Sequence, residues 1–416
     1  MKLQKLYLRY YPPGIGLCYT KGQSEETKMI DLIELNAFTD LEDLALKIEA
    51  SEPLLTKSVH VQVLDALKKL QDRQKEPIKN KFYLYKTLLT HILPLTNISF
   101  DKQGQHCITG SYDRTCCVWN VETGNEVSVL RGHENVVFSV GFNYPKCDRI
   151  ITGSFDKTSK IWTIPGTMLA TLYGHTAEVI GAEFSPGTGD LVASCSMDGT
   201  ARVFHAETSQ ETHLLKEHGA EVISARFDKT GTLLLTGSFD ETAIVWDLRA
   251  KEPALTLRGH EAELSNCIWN FTCSNVATGS LDKTARIWDL RNINYSYALI
   301  GHKDEVLDVA FDYPGNRLAT ASSDCTAKVW DLKSNYELLA IMAGHIDEVS
   351  KVMFSPSGAL LLTASADKTA RLWNAKTGIC TQVLAGHEAE VFSCQFSYIG
   401  DAIVTCSKDN TCKIWR

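Results

Sequence analysis

The stretch from Gly259 to Asp289, GHEAELSNCIWNFTCSNVATGSLDKTARIWD, decides the fold. Short apolar runs alternate in it with Asn, Ser, Asp and Gly, which is the signature of short strands and tight turns rather than of helix. The pattern recurs along the chain. Histidines stand at His91, His133, His175, His218, His260, His302, His345 and His387, with gaps of 42, 42, 43, 42, 42, 43 and 42 residues. A second series, Trp119, Trp162, Phe204, Trp246, Trp288, Trp330, Trp373 and Trp415, keeps the same period. Between the two, every unit carries Ser-x-Asp-x-Thr, from Ser111/Asp113/Thr115 to Ser407/Asp409/Thr411. Three agreeing registers make this a true repeat.

Six units begin with Gly-His, and Asp247, Asp289 and Asp331 directly follow a Trp. From Phe82 to Arg416 the chain resembles the WD40-repeat family, whose units are four-stranded blades. The resemblance implies an all-β, eight-bladed propeller over residues 81–416; residues 1–80, outside the repeat, read as a small α+β domain with its linker. The last unit stops at Trp415-Arg416, after its third strand, while Phe82-Tyr83-Leu84-Tyr85 stands at fourth-strand spacing before His91. Residues 81–90 are therefore expected to complete the last blade, which leaves no open seam in the ring.

The family's hydrogen-bonded tetrad then falls on the His, a Ser/Thr of the second strand, the turn Asp and the third-strand Trp. Its most regular copies are His133/Asp156/Trp162, His260/Asp282/Trp288, His302/Asp324/Trp330, His345/Asp367/Trp373 and His387/Asp409/Trp415. Ser, His and Asp also suggest a nucleophilic triad. A catalytic site occurs once, whereas this set occurs in every unit, so it reads as a structural lock. Thr90 and Glu217 replace the usual Gly, and Phe204 removes one indole donor, so blades one, three and four should be the least regular.

The first 80 residues lack the repeat. Leu3 to Tyr11 is rich in β-formers, Pro12-Pro13-Gly14 turns the chain, and Lys28 to Leu35 reads as another strand. Thr39 and Glu42 have capping-box spacing before a helix over Asp40 to Glu49. A second helix is expected after Ser58, with Val63, Ala66, Leu67 and Leu70 on one side, and a linker from Gln71 to Asn80. The apolar stripe is either this domain's own core or a docking face for a partner helix.

With 42 basic and 50 acidic residues the formal charge is -8, against general attraction to nucleic acid. The first 80 residues hold twelve of each sign, so the excess lies on the propeller. No apolar run approaches the roughly 20 residues that cross a bilayer, and no signal-peptide core follows Met1. Direct membrane insertion is not expected, and the chain should stay in the cytosolic space. Thirteen scattered cysteines without a CxxC pair read as free interior thiols. There is no phosphate-binding Gly loop, no metal-spaced cluster and no unique nucleophile beside a base. The expectation is therefore no enzyme, no catalytic or metal residue and no cofactor.

The residue three after each His precedes the innermost strand. In six consecutive units it is a carboxylate: Glu178, Glu221, Glu263, Glu305, Glu348 and Glu390. Closed into a ring, these should make a negative rim without a built-in cation, suited to a Lys/Arg-bearing peptide or basic helix. The plainer alternative is a solvated position where Glu serves solubility. The residue before each turn Asp is bulky and apolar in five units, Tyr112, Phe155, Met197, Phe239 and Leu281, either packing across blade seams or forming an exposed patch. Phe138, Ile180, Ile223, Leu307 and Phe392, on the innermost strands, should be more interior. Together the two series predict an apolar sector over blades one to five beside an acidic rim, a partner-binding face.

Leu8-Arg9-Tyr10-Tyr11-Pro12-Pro13-Gly14-Ile15, Ile30-Asp31-Leu32, Thr90 to Asn97 and Thr109 to Cys116 are similar to the dynein assembly factors with WD repeats. That resemblance implies a monomeric adaptor between preassembled axonemal outer-arm dynein and the intraflagellar transport B particle, acting in the cytoplasm, basal body and cilium or flagellum. The rival is a substrate receptor of a cullin-4 ubiquitin ligase, since Trp246-Asp247-Leu248-Arg249 and Trp288-Asp289-Leu290-Arg291 fit WDxR. Trp-Asp already ends the repeat, so an Arg two residues on is cheap by chance.

Overall fold

The computed structural model describes residues 2–21, 24–33, 35–36, 38–55, 59–75, 81–250, 252–292 and 296–416. The chain divides into two compact units, Met1–Lys79 and Asn80–Arg416.

In the first unit an antiparallel sheet of β1 (Lys2–Arg9), β2 (Gly14–Lys21) and β3 (Ser24–Asp31), with β2 in the middle, carries two helices, α1 (Leu41–Ser51) and α2 (His60–Lys75). Ile15 and Leu17 of β2 pack with Ala45 and Ile48 of α1 and Val63, Ala66, Leu67 and Leu70 of α2. The apolar stripe is thus this unit's own core. Four details differ from the sequence reading. The strand β2 was not foreseen, because its outer row is Gly14, Gly16 and Cys18 and shows no polar alternation. The strand expected from Lys28 ends at Asp31. The cap of α1 is Asp40, whose Oδ1 accepts from the Glu42 and Asp43 N–H groups, while the Thr39 hydroxyl accepts from the Asn36 N–H. The helix α2 continues through Lys75, so Gln71 to Lys75 is not linker; Ser58 and residues 76–80 lie outside the described residues.

The second unit is an eight-bladed propeller of four-stranded antiparallel sheets. Blade one is typical, with strands Leu95–Phe100, His106–Ser111, Thr115–Asn120 and Glu126–Arg131 running from innermost to outermost. The innermost strands of neighbouring blades pack side by side, and the ring is closed by Leu95–Phe100 against Val391–Phe396. Blade eight combines Val391–Phe396, Ile403–Ser407 and Cys412–Trp415 with β4 (Leu84–Leu88). Tyr83 and Arg416 exchange two backbone hydrogen bonds of 2.7 and 2.9 Å. Phe82 is buried, its N–H donating to Gln382 Oε1 at 2.8 Å.

The propeller's core is spread over its seams. Each of the eight apolar clusters draws on two adjacent blades, as when Val276 and Trp288 of blade five pack with Leu235 and Val245 of blade four. A buried Leu or Val contributes about 2 kcal/mol, so the stability of any one blade depends on both neighbours. All thirteen cysteines are free, and ten are buried.

One regularity links the Gly-His starts to a position 27 residues or so downstream, two before each Trp. There the six Gly-His blades carry Lys160, Arg202, Arg286, Lys328, Arg371 and Lys413, and the two others, with Thr90 and Glu217, carry Cys117 and Ile244. A Cβ at Gly174, Gly259 or Gly344 would lie 2.5, 2.9 or 2.8 Å from the Nη1 of Arg202, Arg286 or Arg371. At Gly132 and Gly301 it would meet the Trp162 and Trp330 rings at 3.2 and 3.1 Å. Opposite the three arginines glycine opens the space that the guanidinium fills, at Gly132 and Gly301 it makes room for the indole edge, and at Gly386 the nearest atom, Lys413 Cε, is 4.0 Å away; where the chain has no such basic residue it has no glycine.

Candidate functional site

Each blade folds its polar residues into one chain of donors. In blade five the Trp288 indole N–H donates to Thr278 Oγ1 at 3.0 Å, and Thr278 Oγ1 lies 2.7 Å from His260 Nε2. His260 Nδ1 in turn lies 2.6 Å from Asp282 Oδ2. A neutral imidazole protonated at Nδ1 satisfies every link. The other carboxylate oxygen accepts from the Thr284 N–H and hydroxyl, and Ser280 Oγ accepts from the Asp282 N–H while donating to the Ala262 carbonyl. The predicted tetrads of His133, His302, His345 and His387 close in the same way through Thr152, Thr320, Thr363 and Thr405. So do those of His91 and His218, despite Thr90 and Glu217. Blade three lacks only the indole: His175 bonds Ser194 and Asp198, and Phe204 is buried in place of a Trp. The blades expected to be irregular keep their lock.

Burial pushes the imidazoles of His218, His260, His302, His345 and His387 below their ordinary value, against the pull of the partner Asp. Burial also opposes ionisation of the Asp, but hydrogen bonds from His and Thr win and draw Asp113 and Asp409 down to about 2. In the blades of those five histidines the imidazole is thus kept neutral, and both it and the Asp anchor the turn. The four histidines outside the repeat also have local partners: His60 with Glu49, His106 with Asp101, His205 with the Glu207 N–H and His213 with the Leu248 carbonyl.

The glutamate series and the apolar turn-tip series meet on one face. In every blade the residue before the turn Asp donates its N–H to the carbonyl three residues after the His: Met197 to Glu178 at 3.0 Å, Phe239 to Glu221 and Leu281 to Glu263 at 2.9 Å, and Tyr112 and Phe155 to Pro94 and Val136 at 3.0 Å. Ser323, Ala366 and Lys408 do the same to Glu305, Glu348 and Glu390. This fixes the turn tips beside the glutamates while leaving their side chains free. Glu263, Glu305 and Glu348 are exposed, and Glu178, Glu221 and Glu390 half-buried. Glu390 does carry a built-in cation: Lys408 Nζ lies 3.1 Å from both its oxygens. Among the described residues the other five carboxylates have no ion pair.

The apolar tips are not equivalent. Tyr112 and Met197 are exposed, whereas Phe155, Phe239 and Leu281 are half-buried. Phe155 stacks on Phe138, 5.4 Å between centroids. The other inner-strand residues, Ile180, Ile223, Leu307 and Phe392, are half-buried too. The sequence reading missed the connection into blade one, where Leu89 and Ile92 are 73% and 78% exposed and Leu93 is also exposed. Their signal was in the sequence, since the positions after the other histidines are mainly charged or small. Also unforeseen is a polar run along the innermost strands of blades five to seven, where the buried Asp308 accepts from Asn266 at 2.8 Å, from Lys351 at 3.0 Å and from the Val352 N–H at 3.0 Å.

The two WDxR arginines behave differently. Arg249 folds back on Asp247, its Nε and Nη2 bonding the carboxylate at 3.0 and 2.8 Å. Arg291 bonds Asp289 through its backbone N–H, and among the described residues its guanidinium has no ion pair.

Comparison with known proteins agrees with this architecture. The family model described as WD domain, G-beta repeat matches residues 82–120, 124–163, 166–205, 209–247, 251–289, 294–331, 336–374 and 378–416. The chain is 49% identical over 150 residues to proteins of Danio rerio and Mus musculus called dynein assembly factor with WD repeat domains 1, a match covering 36% of this chain and 36% of each relative. Among solved structures, the computationally designed protein Ika8 superposes with a TM-score of 0.70 at 27% identity, over 79% of this chain and 98% of the other. Eight matched repeats, each a four-stranded blade with the same His–Ser/Thr–Asp chain, place this protein in the WD40-repeat family.

Proposed function

We propose that the protein is a non-enzymatic adaptor that couples preassembled axonemal outer-arm dynein to the intraflagellar transport B particle, for ciliary import and assembly of motile cilia. The observation that carries this reading is the identity of 49% over 150 residues to proteins named for dynein assembly, on a scaffold of protein-binding architecture. The chemistry of the propeller is in keeping with it. The repeated Ser, His and Asp groups are consumed in locks, and the exposed groups on the tip face include carboxylates, apolar side chains and a smaller number of cations, which serve recognition. Glu178, Glu221, Glu263, Glu305, Glu348 and Glu390, with Tyr112, Phe155, Met197, Phe239 and Leu281, form the proposed partner face. The protein would act in the cytoplasm, at the basal body and in the cilium or flagellum, as a monomer without cofactor.

Proximity labelling in ciliated cells tests the reading with the full chain, residues 1–80 and residues 81–416. Dynein-arm and transport-train subunits should be enriched by the full chain. Enrichment of ubiquitin-ligase components alone would replace the adaptor by the ligase-receptor reading.

A further inference from the structure

The tip face is chemically divided. At the connection into blade one, Leu89, Ile92 and Leu93 are exposed, Tyr112 is exposed on the turn whose N–H bonds Pro94, the residue after Leu93, and this Pro94 holds the position that is Glu in six other blades. The Asn410 side chain of blade eight bonds the Ile92 carbonyl at 3.1 Å, so this connection is held rather than loose. Arg114, exposed next to the turn Asp of the same blade, adds a positive charge to the apolar sector. Across the ring the chemistry reverses. Glu261/Glu263, Asp304/Glu305 and Asp347/Glu348 put two carboxylates on each of blades five, six and seven. Lys283 takes up one of them, Asp304, at 3.7 Å; the exposed cations of this arc also include Arg258, Lys303 and Lys368, and its large exposed apolar side chains are Ile300, on the connection into blade six, and Ile346, on that into blade seven. Between the two sectors, on blade eight, Lys408 pairs with Glu390 and leaves Glu388 as an exposed carboxylate.

We infer that this face takes a single peptide segment in one direction, with apolar side chains seated on Leu89, Ile92, Leu93 and Tyr112 and Lys/Arg side chains over the carboxylates of blades five to seven. The inference deepens the adaptor reading and rests on it for biological meaning, though not for its chemistry. Charge complementarity sets the polarity: a basic end on blade one would meet Arg114, and an apolar end on blades five to seven would strip water from unpaired carboxylates. The exposed aliphatic and aromatic groups supply burial area, and the carboxylates supply encounter rate and salt dependence. A purely basic segment lacks the first, and a purely apolar one the second.

Phage-displayed random 16-residue peptides selected on the full chain provide the test, because no natural ligand has to be assumed. Enriched peptides should carry an apolar pair and a separate Lys/Arg cluster in one consistent order. A synthetic representative, followed by fluorescence anisotropy, should bind at least about tenfold more weakly to Ile92→Ser/Leu93→Ser and to Glu263→Gln/Glu305→Gln/Glu348→Gln. Only the Gln variant should lose most of its sensitivity to raising salt from about 50 to 300 mM. All substituted side chains are exposed, and unchanged thermal unfolding confirms the fold of each variant. No enrichment, peptides without basic residues, or binding indifferent to both variants would overturn the inference. Because dynein recovery in ciliated cells is a separate readout, its loss with peptide binding intact would sink the adaptor reading alone.

Discussion

The guanidinium of Arg371 occupies the space that a Cβ on Gly344 would need, with 2.8 Å between that built position and Nη1, and the Trp373 ring edge is 3.2 Å away. Arg371 is held there by Asp367 at 3.8 Å and by the face of Trp373. Placing Thr at Gly344 must push the guanidinium off both. We expect Gly344→Thr to destabilise by about 1–2 kcal/mol, and Arg371→Ile to recover part of that loss in the double variant. Blade four, with Glu217 and Ile244, already has the second arrangement. Chemical denaturation of the four proteins reads the coupling; strictly additive effects would refute the packing account.

The middle of each polar chain should matter more than its end. Trp288→Phe removes one donor but leaves Thr278 bonded to His260, a state blade three shows with Phe204 and Ser194. Thr278→Val strands the indole N–H and the imidazole together in a buried site. The expected costs are about 1 kcal/mol and about 3 kcal/mol respectively. Equal losses would mean that the hydroxyl does not bridge.

Acid sensitivity should begin well above the carboxylate range. Five imidazoles titrate below their ordinary 6.5 because of burial, so the unfolded chain takes up their protons first, and stability falls as pH drops from above 6.5 through the lower folded values. The lowered Asp113 and Asp409 give a second loss as pH falls below 3.8 towards about 2. Thermal unfolding should therefore show a lower midpoint at pH 5 than at pH 7.5. A flat profile over that interval would contradict the neutral-imidazole lock.

What the sequence reveals depends on how narrowly physics confines each residue. A buried polar group needs a fixed partner, which is why His260, Thr278, Asp282 and Trp288 repeat with one spacing and were readable as a set. Pair relations are harder: Thr90 with Cys117 and Glu217 with Ile244 look like two unrelated departures until Arg286 is seen lying over Gly259. Exposure is harder still. Phe155 and Tyr112 occupy equivalent positions, yet one stacks on Phe138 and the other is open, because burial depends on neighbouring side chains. In the first unit Asp40 caps α1 where Thr39 had the better motif, since either residue could supply the oxygen.

Closure through β4 yields the last expectation. The strand Leu84–Leu88 pairs with Cys412–Trp415, and Phe82 packs against Phe396, 6.3 Å between centroids, within the seam of blades seven and eight. Without these residues Cys412–Trp415 becomes an open edge beside an uncovered apolar seam, a template for aggregation. A chain starting at residue 81 should be soluble and unfold cooperatively, whereas one starting at residue 90 should be insoluble or poorly folded. Phe82→Ala in the full chain should cost about 3–5 kcal/mol, the range for deleting a buried Phe side chain. Deleting the last unit, 378–416, should be at least as damaging as removing β4, because it takes away three strands of blade eight and the outermost strand of blade seven, Cys380–Leu384. A monodisperse, cooperatively unfolding protein from either truncation would show that the ring does not depend on this closure.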